Sequence, residues 1–237
     1  MSAKRLTMCN YILIILMAVM SAMFLNQAIS LLGIKALSET FRNVSSNGAA
    51  IPVAQRILTA GIVVPIAEEI IFRFLIYRYC KKYLVLLKTG EDSSILAAVI
   101  LSSFLFGIYH MNLIQFIYAF LMGMIICCIY EYMYSIMNEQ AIAGAIVFHI
   151  SANCFVILAG QNSLLGTEIG KIVSMCIGAV GMILCAWGMY MINKINFSKV
   201  LYLPLILFVS VISLCICLHF GIEKSGYYVD EYYTYTL

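Results

Sequence analysis

The sequence predicts an all-α polytopic membrane protein with about seven transmembrane helices and its site inside the bundle. Three observations predict it. Hydrophobic residues make up 64% of the chain and charged residues 11%, whereas soluble domains run near half apolar and a quarter charged. Apolar runs recur along almost the whole of the 237 residues, each near the ~20 residues that cross a hydrocarbon core. The polar stretches between them are short, so any chemistry must come from the helices themselves. A net charge of +3, thinly scattered, excludes nucleic acid as a partner. With three prolines and no Ser/Gly-rich or acidic tract there is no linker, and residues 1–237 read as one transmembrane domain.

Taken in order, the apolar runs fall near 11–33, 57–79, 94–110, 113–135, 141–159, 170–192 and 200–220. The first follows Lys4 and Arg5 like a signal peptide. It is too long for a signal h-region and lacks a convincing cleavage site, so it reads as an anchor. With the N-terminus inside, eight Lys and Arg residues (Lys4, Arg5, Arg78, Lys81, Lys82, Lys88, Lys194, Lys199) are cytoplasmic. Five (Lys35, Arg42, Arg56, Lys171, Lys224) then lie outside, the arrangement that the positive-inside rule favours. The nine cysteines sit mostly in apolar segments with no CxxC spacing, and read as small hydrophobic thiols. Glycines 170, 178, 181 and 188 in one late segment read as close-packing positions.

The run at 57–79 contains "PIAEEIIFRF", with Glu68, Glu69 and Arg73 at membrane depth. A charge near a helix centre costs about 2.5–3.5 kcal/mol on the insertion scale, against about 0.3–0.6 returned per large apolar residue. Such residues face a bundle interior or a wet cavity. Glu69 and Arg73 are i,i+4 with the acid first, the better order for a pair. Glu68 lies about 100° round the helix and is left over.

Other polar groups share this depth. His110 closes "SSFLFGIYH", four residues after Phe106, and His149 in "GAIVFHISANCF" stands four before Asn153. His149 and Asn153 therefore project from one helix face as a pair of hydrogen-bonding side chains. Either could simply join helices, a bond worth about 0.6–2 kcal/mol in membranes. His219, beside Phe220 and Gly221, has no such companion and reads as an interfacial histidine.

E-E-x-x-x-R at 68–73, F-x-x-x-H at 106–110 and H-x-x-x-N at 149–153 follow one another on separate apolar helices. In this order they resemble the CAAX protease and bacteriocin-processing (CPBP, or Abi) family of intramembrane endopeptidases, related to the eukaryotic CAAX prenyl protease. The resemblance covers a catalytic core of about 57–159. It implies that Glu68 and His110 hold and activate the attacking water. It implies that His149 and Asn153 stabilise the oxyanion, and that Glu69 and Arg73 support the catalytic glutamate. The residue chemistry agrees, since amide hydrolysis needs a base for water and donors for the developing charge. His110, His149 and a glutamate would also make a His₂Glu set, the ligand type of many zinc hydrolases. No H-E-x-x-H occurs, and the resemblance favours a glutamate mechanism without a cofactor, zinc being the alternative.

The resemblance implies a membrane-associated or lipidated peptide or protein as substrate, met in the lipid bilayer. It points to a multi-pass protein of a bacterial cell membrane, whose relatives act in peptide processing and bacteriocin immunity. Two rival classes fit the same polar residues. One is a non-catalytic immunity or scaffold protein; the other is a proton-coupled transporter, because intramembrane Glu, His and Arg also mark proton relays. Against transport, there is no inverted repeat and no pair of Gly/Pro-broken helices in two halves.

Overall fold

The computed structural model describes residues 3–31, 48, 50–87, 90–160 and 166–193. Among them every regular element is helical. Helix α1 spans Ala3–Leu31, and α2 is the short Val53–Arg56. The chain then stays helical through a π stretch, Ile57–Val63, into α3, Val64–Glu69. A second π stretch, Ile70–Tyr77, leads into α4, Arg78–Leu86. Helices α5 (Glu91–Tyr109), α6 (Leu113–Met137), α7 (Ala141–Ala159) and α8 (Glu168–Asn193) follow, with a 3₁₀ turn at Asn138–Gln140. The molecule is an integral membrane protein with five helices long and apolar enough to span a bilayer among the described residues.

Five of the seven expected spans are among them. The predicted 57–79 run is helical too, with α and π turns alternating along it. It also extends beyond its apolar part, from Val53 to Leu86. The polar stretches expected before and after it are therefore partly helical. The seventh run, 200–220, lies outside the described residues, and His219 with it.

Local chemistry sets the helix ends that matter for the site. Gly90 takes φ 86 before α5, a conformation that glycine adopts without strain. Glu91 and Asp92 occupy the first turn of α5, where carboxylates suit the helix dipole. The α5–α6 turn is tight: Met111 has φ 49, and the Asn112 side chain accepts from Ile114 N at 2.9 Å and Gln115 N at 3.2 Å. That is the usual work of an asparagine N-cap, and it places His110 at the very end of α5.

Helix α6 is the central one: 61% of its apolar window is buried, against 28% for α8. It packs on α5 and α7, while α1 packs on α8 and α7. Three of the late glycines, Gly178, Gly181 and Gly188, face α1 at close range. A Cβ on Gly178 would lie 2.8 Å from Met20 O, so only glycine lets α8 approach the α1 backbone this closely. A polar clamp completes that side. Tyr132 of α6 donates to Asn10 Oδ1 of α1 at 2.8 Å, Asn193 of α8 donates to the same oxygen at 2.9 Å, and Asn193 also contacts the Tyr132 hydroxyl. The seven described cysteines are free thiols.

Candidate active site inside the bundle

Helix α3 is six residues long and lies between the two π stretches. A π turn widens the helix by one residue, and such turns recur at functional sites. Glu68 and Glu69 end α3 and face inward, with Glu68 6% exposed and Glu69 fully buried. Arg73, one turn later, is fully buried too, and its Nε lies 3.2 Å from Glu69 Oε2. The expected i,i+4 ion pair is present.

Arg73 is held from two further sides. Its Nη2 donates to Gly123 O of α6 at 3.3 Å, and its guanidinium carbon lies 4.5 Å from the centre of the Phe106 ring. Gly123 makes the first contact possible, because a Cβ there would come 3.2 Å from Arg73 Nη2 and 3.1 Å from Ser103 Cβ. A guanidinium over an aromatic face gains a cation–π attraction that grows as water is excluded. Ser102 of α5 donates to Phe72 O at 2.7 Å, tying the second π stretch to α5.

His149 of α7 supplies the contact across helices. Its Nδ1 is 2.7 Å from Glu69 Oε1, and its Nε2 is 3.6 Å from Glu68 Oε2. One imidazole thus sits between the two neighbouring carboxylates. An ionised Glu69 only accepts, so Nδ1 carries the proton and Nε2 faces Glu68. The sequence reading paired Glu69 with Arg73 alone and left His149 to Asn153. Helical spacing reports contacts along one helix and is blind to those between helices.

His110 is reached through Phe106. The two rings lie edge to face at 5.0 Å, and the Phe106 and His149 rings at 5.7 Å. His110 Nδ1 donates to Phe106 O at 2.9 Å, which again leaves Nε2 as the free nitrogen. Phe106 is therefore the hub, touching Arg73, His110, His149 and, at 5.0 Å, Phe72.

Asn153 stands one turn beyond His149 and faces the same neighbouring helix, but reaches a different point on it. Its Nδ2 donates to Ala60 O in the first π stretch at 3.0 Å, and Cys154 Sγ lies 3.8 Å from Gly61 O. The structure thus brings Glu68, Glu69, Arg73 and His149 into one cluster, with His110 beside it across Phe106. Asn153 is bonded at its margin. Among the described residues no three His, Cys, Asp or Glu side chains converge as a metal-ligand set.

Residues 50–155 match the family model described as type II CAAX prenyl endopeptidase Rce1-like. This segment is Rce1-like. It spans a little under half of the chain, holds every site residue described above, and supports the CAAX-protease family expected from the three motifs. No curated protein and no solved structure matches the chain. The Rce1-like segment runs from just before α2 to near the end of α7. Helices α1 and α8, which pack on one another, flank it in sequence.

Proposed function

We propose that the protein is an intramembrane endopeptidase that hydrolyses a peptide bond in a membrane-associated or lipidated substrate, within a bacterial cell membrane. Glu68 is its base. The observation that carries this reading is the unequal treatment of two adjacent buried carboxylates. Glu69 is held by both Arg73 and His149. Among the described residues Glu68 has only the Nε2 edge of His149, at 3.6 Å, longer than a hydrogen bond.

Charge balance supports an acid–base role. Glu68, Glu69 and Arg73 together carry one net negative charge when ionised, and they are buried. Uncompensated charge in such a place is costly. One proton on either Glu68 or His149 makes the cluster neutral, so a proton that moves between these two groups is what the site is built to hold. In hydrolysis Glu68, with His110 beside it, takes a proton from water, and the hydroxide attacks the scissile carbonyl carbon. The carbonyl oxygen becomes an oxyanion stabilised by hydrogen-bond donors. His149, protonated at both nitrogens, donates from Nε2, and Asn153 donates its second amide hydrogen. The proton held by Glu68 then passes to the leaving nitrogen as the C–N bond breaks. Glu69 and Arg73 do not touch substrate; they hold His149 and the helix in place.

The test compares new peptide termini in membranes and medium from cells making the wild type, Glu68→Ala or His110→Ala at matched abundance. Loss of the same termini in both variants is the expected result. Termini that persist in both would overturn the hydrolase reading and favour a scaffold or immunity role for the same polar core.

A further inference from the structure

The hairpin of α5 and α6 is uncharged along most of its length, its turn included. Residues 93–130 contain no Asp, Glu, Lys or Arg. The side chains at the tip are apolar or aromatic and uncovered: Tyr109 is 58% exposed, Met111 91% and Leu113 70%. The backbone donors of the turn are met from within it. His110 N bonds to Gly107 O at 3.2 Å, Met111 N to Ile108 O at 2.9 Å, and Phe116 N to Asn112 O at 2.6 Å. Asn112, itself buried, takes Ile114 N and Gln115 N on its side chain. Irregular backbone at membrane depth is tolerated only where the protein satisfies its polar groups. This turn meets that condition.

Two contacts give its depth. Arg73 and Lys81 of the Val53–Leu86 run reach Gly123 O at 3.3 Å and Glu131 at 2.8 Å on α6. Each pair of positions is eight residues apart on its own helix, so the run and α6 lie parallel and in step. Leu113, eighteen residues before Glu131, is then level with Val63. Eighteen residues rise about 27 Å, short of the ~30 Å of a hydrocarbon core. On α5 the nearest charge to Tyr109 is Asp92, seventeen residues away, about 26 Å. Arg56 stands seven residues beyond Val63, about 10 Å further out. Asp92, Lys81 and Glu131 thus mark one face of the membrane and Arg56 the other. The turn stops below the level of Arg56.

We propose that the α5–α6 turn does not emerge into water but ends beneath the headgroups of the leaflet nearer Arg56. Its tip is a lipid-binding surface, with Tyr109, Met111 and Leu113 set against acyl chains. His110, between Tyr109 and Met111, is held below the headgroups by the same side chains. This placement is independent of the proposed chemistry.

The experiment measures depth by tryptophan fluorescence. Trp187 is the single tryptophan of the chain and is exposed on α8, so Trp187→Phe gives a dark background. On it the full chain would carry one new tryptophan, as Met111→Trp, Leu113→Trp or Gln55→Trp, in phosphatidylcholine vesicles. Gln55 is exposed and adjoins Arg56. Bromine on the lipid acyl chains quenches a tryptophan in hydrocarbon, and iodide, present on both sides of the membrane, quenches one in water. Brominated lipid is expected to remove most of the emission at positions 111 and 113, and iodide most of it at 55. Two tip positions keep the test readable if one variant misfolds. Iodide quenching at either tip position equal to that at 55 would overturn the proposal. Protection from both quenchers at the tip would overturn it too, because protein, a second copy of this chain included, would then cover the turn in place of lipid.

Discussion

One helical run, Val53–Leu86, carries two ion pairs about two turns apart, and they are built in opposite ways. Glu69–Arg73 lies within the run, with both side chains fully buried. Lys81–Glu131 joins the run to α6, with side chains about a fifth exposed, 20% and 18%. The first is shielded from water, so nothing outside the protein can replace a missing partner. It accordingly collects His149, Gly123 O and the Phe106 ring around it. The second is partly open, so water can stand in for a lost partner. The lesson is that depth decides what a missing partner costs.

The largest effect should come from breaking the buried pair. Glu69→Ala strands Arg73 and frees His149, and should cost about 3–5 kcal/mol, read as loss of folded protein in a thermal or denaturant titration of the reconstituted chain. Glu131→Ala should cost no more than about 1 kcal/mol by the same measurement. Equal losses would erase the distinction between the two regions. Next comes packing around Arg73. Gly123→Ala would push a methyl group against Arg73 Nη2 and Ser103, and should destabilise by about 1–3 kcal/mol while also lowering activity. Gly178→Ala, which meets Met20 O of α1, should cost a similar amount and spare the activity of whatever protein remains folded. Asn153→Ala loses one bond to Ala60 O and about 0.6–2 kcal/mol. If Asn153 donates to the oxyanion, cleavage should nevertheless fall about 10²–10³-fold. A rate that falls only as far as the folded fraction would make Asn153 a helix-joining residue and nothing more.

Much of the buried region was legible in the sequence, because its main pair obeys helical spacing. Four residues separate Glu69 from Arg73, and the structure joins them at 3.2 Å. The three motifs that suggested a CAAX-type protease fall within the matched segment 50–155. Position of the charges also exposed Glu68 as the unmatched carboxylate. What spacing could not show was the third dimension. The imidazole of His149 between Glu68 and Glu69, and the Arg73 bond to Gly123 O, cross from one helix to another. The π turns were equally hidden, since Ile57–Val63 and Ile70–Tyr77 have the same apolar composition as α-helix. At the other region the sequence places Arg78 at the end of an apolar run and Lys81 and Lys82 in the polar stretch after it. The helix continues through them as α4, where Lys81 meets a carboxylate on α6 that lies 50 residues away in sequence, a contact that spacing along the chain does not show.

The account rests on a division of labour between two adjacent glutamates, and Glu68→Gln tests it most directly. Folded abundance and new peptide termini would be measured on the same membranes, beside the wild type and Glu69→Gln. The account predicts that Glu68→Gln keeps wild-type abundance and loses the termini, while Glu69→Gln loses abundance. Termini that survive in Glu68→Gln, or a Glu68→Gln protein as unstable as Glu69→Gln, would contradict it.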